Sequence, residues 1–206
     1  MTYLKLRDSM KDFTVFSVRD IRRVDPAFHR RRLNEWQDKG YIRKVVKGFY
    51  IFADRPLDEW DLFEIANRIY RPSYISLESA LAHYQLIPES VYGVTSISTR
   101  RSYHFASGLA DFRFRTVRPP LFFGYDLAPV GGRRVKIARP EKAILDFLYL
   151  NPRLQSEPDF ESLRINGQQF RSLVDDRRLR TALGRFTQKT LMNRVDRLLG
   201  YLRNGG

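Results

Sequence analysis

The fold of this chain is decided by residues 25–52, which have the sequence DPAFHRRRLNEWQDKGYIRKVVKGFYIF. Asp25 and Pro26 are typical of a helix start, because a carboxylate accepts free backbone N–H groups and proline suits the first helical position. The predicted helix continues to about Lys39 and ends at Gly40, since glycine readily adopts the left-handed conformation that follows many helices.

A β-hairpin is predicted directly after this helix. Residues 41–46 and 49–52 are rich in β-branched and aromatic side chains, and the Lys47-Gly48 dipeptide connects them. Upstream, the pattern predicts a helix over residues 2–11, a short strand over 13–16 and a second helix that begins at Ser17. The order helix, strand, helix, helix, hairpin is that of a winged helix-turn-helix, which we expect as a DNA-binding domain over residues 1–55.

A second domain is predicted over residues 56–206. A helix over about 58–70 leads into it, and Ser76 is the predicted N-cap of a short helix. The candidate strands are residues 95–99, 103–106, 112–117, 121–125 and 134–138. We therefore expect an α+β fold, in which a mixed α/β second domain has a mainly antiparallel sheet over about 94–138. Helices over about 140–203 follow and end in a C-terminal helical tail.

The composition excludes several classes of protein. The 206 residues contain no cysteine, which excludes disulfide scaffolds, thiolate metal sites and a cysteine nucleophile. The three histidines are scattered without metal-ligand spacing, so neither a metal site nor a cofactor is expected. The apolar stretches are far shorter than the ~20 residues that span a bilayer, and the first residues lack the apolar segment of a signal peptide. We expect a cytoplasmic protein without a membrane partner.

The charge of the chain indicates a polyanionic partner. The formal net charge is +14, and arginine supplies 29 of the 37 basic residues. A GC-rich genome would also raise the arginine content, but it would not explain the net charge. Residues 1–55 hold 14 basic and 7 acidic side chains, whereas the nearly threefold longer remainder holds 23 and 16. The N-terminal part therefore has the highest density of positive charge, as expected of a region that binds nucleic acid.

The helix predicted from Pro26 has an apolar inner face and a polar outer face. With Leu33 and Trp36 inward, Arg and Asn side chains face outward, and arginine, asparagine and glutamine are the residues that bind guanine and adenine edges. The cations of the hairpin suit phosphate contacts. The predicted DNA-binding residues are Arg30, Arg31, Arg32, Asn34, Gln37, Arg43, Lys44 and Lys47. The alternative is a solvated basic surface. Two neighbours are predicted to be structural: His29 on the inner face and Asp25 as a helix cap.

Sequence motifs for catalysis are absent. The chain contains no phosphate-binding glycine-rich motif, no nucleophile elbow and no HExxH motif. Glu141, Lys142 and Asp146 would suit a metal-dependent nuclease. However, Glu141 and Lys142 are adjacent, and they begin a helix rather than lying on a strand. We therefore expect these residues to have a structural role and the protein not to be an enzyme.

Two further blocks carry a resemblance to a known family. The hairpin sequence, together with residues 74–81 (YISLESAL) and 136–146 (KIARPEKAILD), resembles the AbiEi-family antitoxins of abortive-infection toxin–antitoxin operons. The order and spacing match over about residues 13–150, although Gln85 stands where the family pattern has glycine. The last 50 or so residues match only as a helical tail.

The resemblance implies a protein with two activities. The winged helix would bind inverted repeats in the promoter of its own operon as two copies and repress transcription. The second domain would counteract a cognate nucleotidyltransferase-like toxin, without requiring a stable complex with it. An alternative is a winged-helix transcription factor of another regulon, with a ligand-sensing second domain.

Overall fold

The structure, a computed structural model, describes residues 1–88 and 93–203. It has an α+β fold with mainly antiparallel strand pairs. The expected α+β class with mainly antiparallel strands is therefore confirmed. The elements of the N-terminal part are α1 (Tyr3–Met10), β1 (Phe16–Ser17), α2 (Val18–Val24), α3 (Arg31–Asp38), β2 (Ile42–Val46) and β3 (Phe49–Phe52).

The elements that follow form a six-stranded sheet with helices. They are α4 (Glu59–Ile69), β4 (Ser73–Ile75), α5 (Leu77–His83), β5 (Gly93–Ser98), β6 (Tyr103–Ala106), β7 (Asp111–Thr116), a 3-10 turn (Pro119–Leu121), β8 (Tyr125–Val130), β9 (Arg133–Ala138), α6 (Pro140–Leu150), α7 (Glu157–Ser162), α8 (Gly167–Leu173), α9 (Asp176–Leu183) and α10 (Lys189–Arg203). The strand order is β6-β7-β5-β4-β9-β8, in which β5–β7 and β4–β9 are parallel.

The predicted start of the third helix was wrong. Helix α3 begins at Arg31, and residues 25–30 form a turn instead. Asp25 ends the preceding helix, since its backbone N–H donates to the Ile21 carbonyl at 2.9 Å. The turn brings the ring of Phe28 onto that of Trp36, at 5.7 Å between centroids. Burial of this aromatic pair outweighs the local preference of the Asp-Pro sequence for a helix N-terminus.

The start of helix α2 was predicted correctly. The Ser17 hydroxyl oxygen accepts from the Asp20 backbone N–H at 3.3 Å, and the Asp20 carboxylate accepts from the Ser17 backbone N–H at 2.9 Å. Each side chain thus satisfies a backbone N–H group that lacks a partner within the helix. Such a reciprocal arrangement depends on four consecutive residues, and for this reason it could be recognised in the sequence.

The small sheet of the N-terminal part, in the order β1-β3-β2, is covered on both faces. Ile42, Tyr50 and Phe52 pack with α1, α2 and α3 in one apolar cluster. Val45 and Ile51 belong instead to the large core formed around the six-stranded sheet. The sheet therefore joins the helices in front of it to the rest of the molecule behind it.

In the second part, one predicted strand is wrong and one strand of the structure was not predicted. Residues 121–125 are not a strand, because Pro119 and Pro120 begin a 3-10 turn and the strand starts only at Tyr125. Strand β4 was not predicted, since its three residues are all buried and show no alternation of polar and apolar side chains. The other four strands lie within two residues of their predicted bounds.

The N-terminus of α5 has an unexpected cap. Ser76 occupies the N-cap position, as predicted, but its side chain makes no capping hydrogen bond. The hydroxyl of Thr95, on neighbouring β5, accepts from the Ser79 backbone N–H at 3.0 Å and donates to the Ser76 carbonyl at 2.8 Å. The strand residue Thr95 thus accepts a free backbone N–H group at the N-terminus of α5, a role that the N-cap side chain normally has.

Candidate nucleic-acid interface

Helix α3 buries its apolar side chains and exposes its first basic ones. Leu33 is fully buried and Trp36 is 5% exposed, as expected from their spacing. Arg31 and Asn34 are exposed on the outside of the helix. Because residues i and i+3 lie on the same face of a helix, these two side chains project from neighbouring positions. The predicted outward orientation of Arg31 and Asn34 agrees with their exposure.

The other predicted residues of this helix differ in whether their polar side-chain atoms are already hydrogen-bonded within the protein. Arg30, directly before the helix, is exposed. Arg32 is also exposed, but its guanidinium donates to the Met1 carbonyl. Gln37 is half-buried, and its amide nitrogen donates to the Leu33 carbonyl at 3.1 Å. Of these three side chains, Arg30 is therefore the one whose polar atoms are fully available to a ligand.

His29 lies on the outside of the molecule, so its predicted position on the inner face was wrong. The prediction applied the periodicity of a helix to a residue of the turn that precedes α3. In this turn Phe28 is buried and His29 is exposed. An imidazole thus lies immediately before the three consecutive arginines, Arg30–Arg32.

The hairpin presents three cations. Arg43 and Lys44 are consecutive residues of β2, and both are exposed. Their pairing with β3 shifts by one residue between Lys44 and Val46, which marks a β-bulge. Lys47 is exposed at the tip, followed by Gly48 with a φ of +90°, a backbone conformation that suits glycine. The hairpin tip therefore has the basic character predicted for it.

These cations are not neutralised by neighbouring carboxylates. Within residues 1–88 and 93–203, no carboxylate lies within 4 Å of Arg30, Arg31, Arg43, Lys44 or Lys47. Acidic residues of the same part are paired elsewhere, Asp54 with Arg7 and Asp20 with Arg68. Two acidic residues, Glu35 and Asp38, are exposed on α3. The uncompensated positive charge of α3 is consequently concentrated at its N-terminal end.

The Glu141, Lys142 and Asp146 group lies inside the second part. Asp146 is fully buried and accepts from the Tyr74 hydroxyl at 2.8 Å and the Ser76 hydroxyl at 2.9 Å. The Lys142 ammonium donates to both Asp146 and Tyr74. Glu141 is buried and accepts the Asp175 backbone N–H at 3.0 Å. In this geometry Asp146 ties α6 to β4 and has no contact with solvent.

Burial shifts the pKa values in this group towards the neutral forms. Desolvation raises the pKa of Asp146 and lowers that of Lys142, while their mutual attraction opposes both shifts. Desolvation also raises the pKa of Tyr74, and the neighbouring Asp146 adds to this effect. Tyr74 therefore remains a hydrogen-bond donor. Among the described residues, no cluster of three or more His, Asp or Glu side chains could hold a metal ion.

Comparison with models of known protein families and with curated proteins finds no match for this chain. The helices of residues 1–88 and 93–203 are all too short or too polar to cross a bilayer.

Proposed function

We propose that the protein binds double-stranded DNA through its N-terminal part, which acts as a winged helix-turn-helix. The element order α1-β1-α2-α3-β2-β3 and the antiparallel sheet β1-β3-β2 support this proposal. In this arrangement α3 is the recognition helix and the β2–β3 hairpin is the wing. The observation that carries the proposal is the row of exposed, uncompensated cations at the start of α3 and on the hairpin.

Each part of this surface has a separate role in the proposal. Arg31 and Asn34 contact base edges in the major groove, because they project together from the first turns of the helix. Lys44 and Lys47 contact phosphates, since lysine supplies a point charge on a flexible stem. Arg30 and Arg43 extend the surface on either side. Affinity then comes from phosphate contacts, and sequence preference comes from α3.

We further propose that the protein is an antitoxin that represses its own operon and counteracts a nucleotidyltransferase-like toxin. The resemblance of residues 74–81 and 136–146 to AbiEi-family antitoxins supports this part. These two blocks meet in the fold, because Ile75 pairs with Ile137 between β4 and β9 and Tyr74 donates to Asp146. The resemblance therefore falls on one contiguous part of the molecule.

DNA binding is tested with the duplex that lies upstream of the gene and a shuffled duplex of equal composition. Arg31→Ala should weaken binding to the upstream duplex by about 1–3 kcal/mol and reduce the preference for it over the shuffled duplex. Arg118→Ala is the matched control, because Arg118 is exposed and makes no ion pair among the described residues. If Arg31→Ala binds both duplexes as the wild type does, α3 is not the recognition helix.

The antitoxin proposal predicts a nucleotidyltransferase reading frame next to the gene, and it is tested by expressing such a reading frame with and without the full chain; the absence of one would contradict the proposal. The wild type should restore growth and repress a reporter placed behind its own promoter. The Arg31→Ala/Asn34→Ala variant should restore growth but lose repression, because its second part is intact. Failure of the wild type to restore growth would refute the antitoxin proposal and leave the DNA-binding proposal standing.

A further inference from the structure

A basic cavity lies beside helix α4, and none of its lining residues belongs to α3 or to the β2–β3 hairpin. Its volume is about 620 Å³, within the range of small-molecule sites in proteins. Helix α4, the turn that precedes β4, and strand β9 form its walls. The residues on which the argument depends are Arg68, Arg71, Ser73, Arg133, Arg134 and Lys136.

The cavity lies where the parallel strands β4 and β9 pair at a single position. Strand β4 has three residues, and its one registered pair with β9 is Ile75 with Ile137. One residue earlier in β9, the backbone N–H of Lys136 donates instead to the Asn67 side chain at 2.6 Å, and the Asn67 amide donates to the Lys136 carbonyl at 3.4 Å. The Asn67 side chain of α4 thus pairs with the backbone N–H and carbonyl of Lys136, at a position of β9 that the short strand β4 leaves without a backbone partner. The space between α4, β4 and β9 is left open.

The cavity carries more positive charge than its acidic neighbours balance. Glu64 also lines the cavity. Arg68 pairs with Asp20 and lies 3.9 Å from Glu64, and Arg133 pairs with Asp61 and Glu64. Three further cations line the cavity, Arg71, Arg134 and Lys136. In the part of the chain that the structure describes, none of the three has a carboxylate within 4 Å. The Lys136 ammonium lies 5.6 Å from the centre of the Tyr125 ring, whereas Arg71 and Arg134 make no ion pair or ring contact in the described chain. These two guanidiniums are therefore the cations left for a ligand.

Two buried hydrogen-bonding atoms at the cavity have no partner among the described residues. Ser73 is 1% exposed, and its hydroxyl makes no hydrogen bond. The Nε of Arg68 is also buried without an acceptor, although the same guanidinium contacts Asp20. Buried polar groups are nearly always hydrogen-bonded in folded proteins, because leaving them unpaired costs free energy. Two such atoms beside the same basic cavity indicate a missing acceptor.

We propose that this cavity binds the phosphate groups of a small phosphorylated molecule. The Ser73 hydroxyl and the Arg68 Nε–H donate to phosphate oxygens, and Arg71 and Arg134 balance the charge. Phosphate oxygens accept several charge-assisted hydrogen bonds at once, which matches this set of donors. The proposal does not depend on DNA binding by α3, because none of the residues involved belongs to that surface.

The first test uses inorganic pyrophosphate as the probe and isothermal titration calorimetry on the full chain. Ser73→Ala should weaken pyrophosphate binding by about tenfold or more, which corresponds to the loss of a charge-assisted hydrogen bond. The same variant should melt at the wild-type temperature or above it, since it removes an unpaired buried hydroxyl. A residue with a merely structural role would show the opposite pattern, lower stability with unchanged binding.

Ser96→Ala is the matched control. Ser96 is fully buried on β5, its hydroxyl is also unpaired among the described residues, and it does not line the cavity. This variant should match Ser73→Ala in stability and the wild type in pyrophosphate affinity. Arg134→Gln provides an independent charge variant, because Arg134 is exposed and unpaired in the described chain. It should weaken binding, whereas Arg118→Gln should not.

A final measurement distinguishes a small phosphorylated molecule from the phosphate backbone of DNA. A short DNA duplex should leave pyrophosphate bound, and Ser73→Ala should leave duplex affinity unchanged. Displacement of pyrophosphate by the duplex, together with weaker duplex binding by Ser73→Ala, would overturn the assignment to a small molecule. Equal pyrophosphate binding by the wild type, Ser73→Ala and Arg134→Gln, or no binding by the wild type, would overturn the site itself.

Discussion

The Arg68 guanidinium lies 3.1 Å from the Asp20 carboxylate, and this contact joins helix α4 to helix α2. Asp20 also accepts from the Ser17 backbone N–H, so one carboxylate caps α2 and binds α4 at the same time. Nearby, the buried Thr14 hydroxyl donates to Glu64 at 2.5 Å. Polar contacts thus fix the N-terminal part to α4 in addition to the shared apolar core.

Replacing Arg68 by methionine should lower the free energy of unfolding by about 1.5–3 kcal/mol, because Asp20 loses a charged hydrogen-bond donor. Urea denaturation measures this loss. The two tryptophans allow it to be localised, since Trp36 lies in the N-terminal core and Trp60 on α4. In a Trp60→Phe background, Trp36 fluorescence should show the full loss. Arg71→Met, an exposed neighbour without an ion pair in the described chain, should change stability little.

Lys142→Met should be strongly destabilising, by about 3–5 kcal/mol, because it leaves the fully buried Asp146 without its counter-charge. The double variant Lys142→Met/Asp146→Leu should lose less than the sum of the two single variants. Since burial raises the pKa of Asp146, the Lys142→Met loss should shrink as the pH falls towards the ordinary aspartate value and grow as the pH rises. Additive single losses in chemical denaturation at neutral pH would show that the pair is not coupled.

Thr95→Val should destabilise the fold by about 0.5–2 kcal/mol, the usual cost of losing a helix N-cap. The substitution preserves shape but leaves the Ser79 backbone N–H without its acceptor. Thr95→Ser keeps the hydroxyl and is the control. Thermal melting of both variants should place Thr95→Ser closer to the wild type, and equal melting temperatures for the two would contradict the capping role.

The Lys44→Ala/Lys47→Ala variant should weaken binding to every duplex alike. Each phosphate contact contributes about 0.9 to the slope of log K against log salt concentration, so the slope should decrease by about 1.8. Fluorescence anisotropy over a series of salt concentrations measures it. Lys189→Ala, which removes an exposed charge at the start of α10, should leave the slope unchanged. An unchanged slope in the double lysine variant would remove the hairpin from the proposed interface.

Sequence reasoning succeeded where the deciding interactions are local. The Ser17–Asp20 cap, the hairpin tip at Lys47 and the outward position of Arg31 each follow from residues a few positions apart. It failed at Asp25, because the helix signal there is overridden by packing of Phe28 on Trp36.

Features that depend on distant residues could not be predicted. Arg68 and Asp20 are 48 positions apart in the chain, and Asn67 is 69 positions from Lys136. The Thr95 cap and the basic cavity likewise require the register of β4, β5 and β9. Nothing in a local pattern marks these partners, since their side chains are common types at ordinary positions.

The small sheet β1-β3-β2 also determines how the chain can be divided. Val15, Val45, Val46 and Ile51 are sealed by the large core. A fragment that stops near residue 55 would uncover these four side chains together, and an exposed apolar patch promotes self-association. The N-terminal part, to which we assign DNA binding, is for that reason not expected to be stable as an isolated fragment, and truncation experiments need polar replacements at those four positions to keep the fragment in solution.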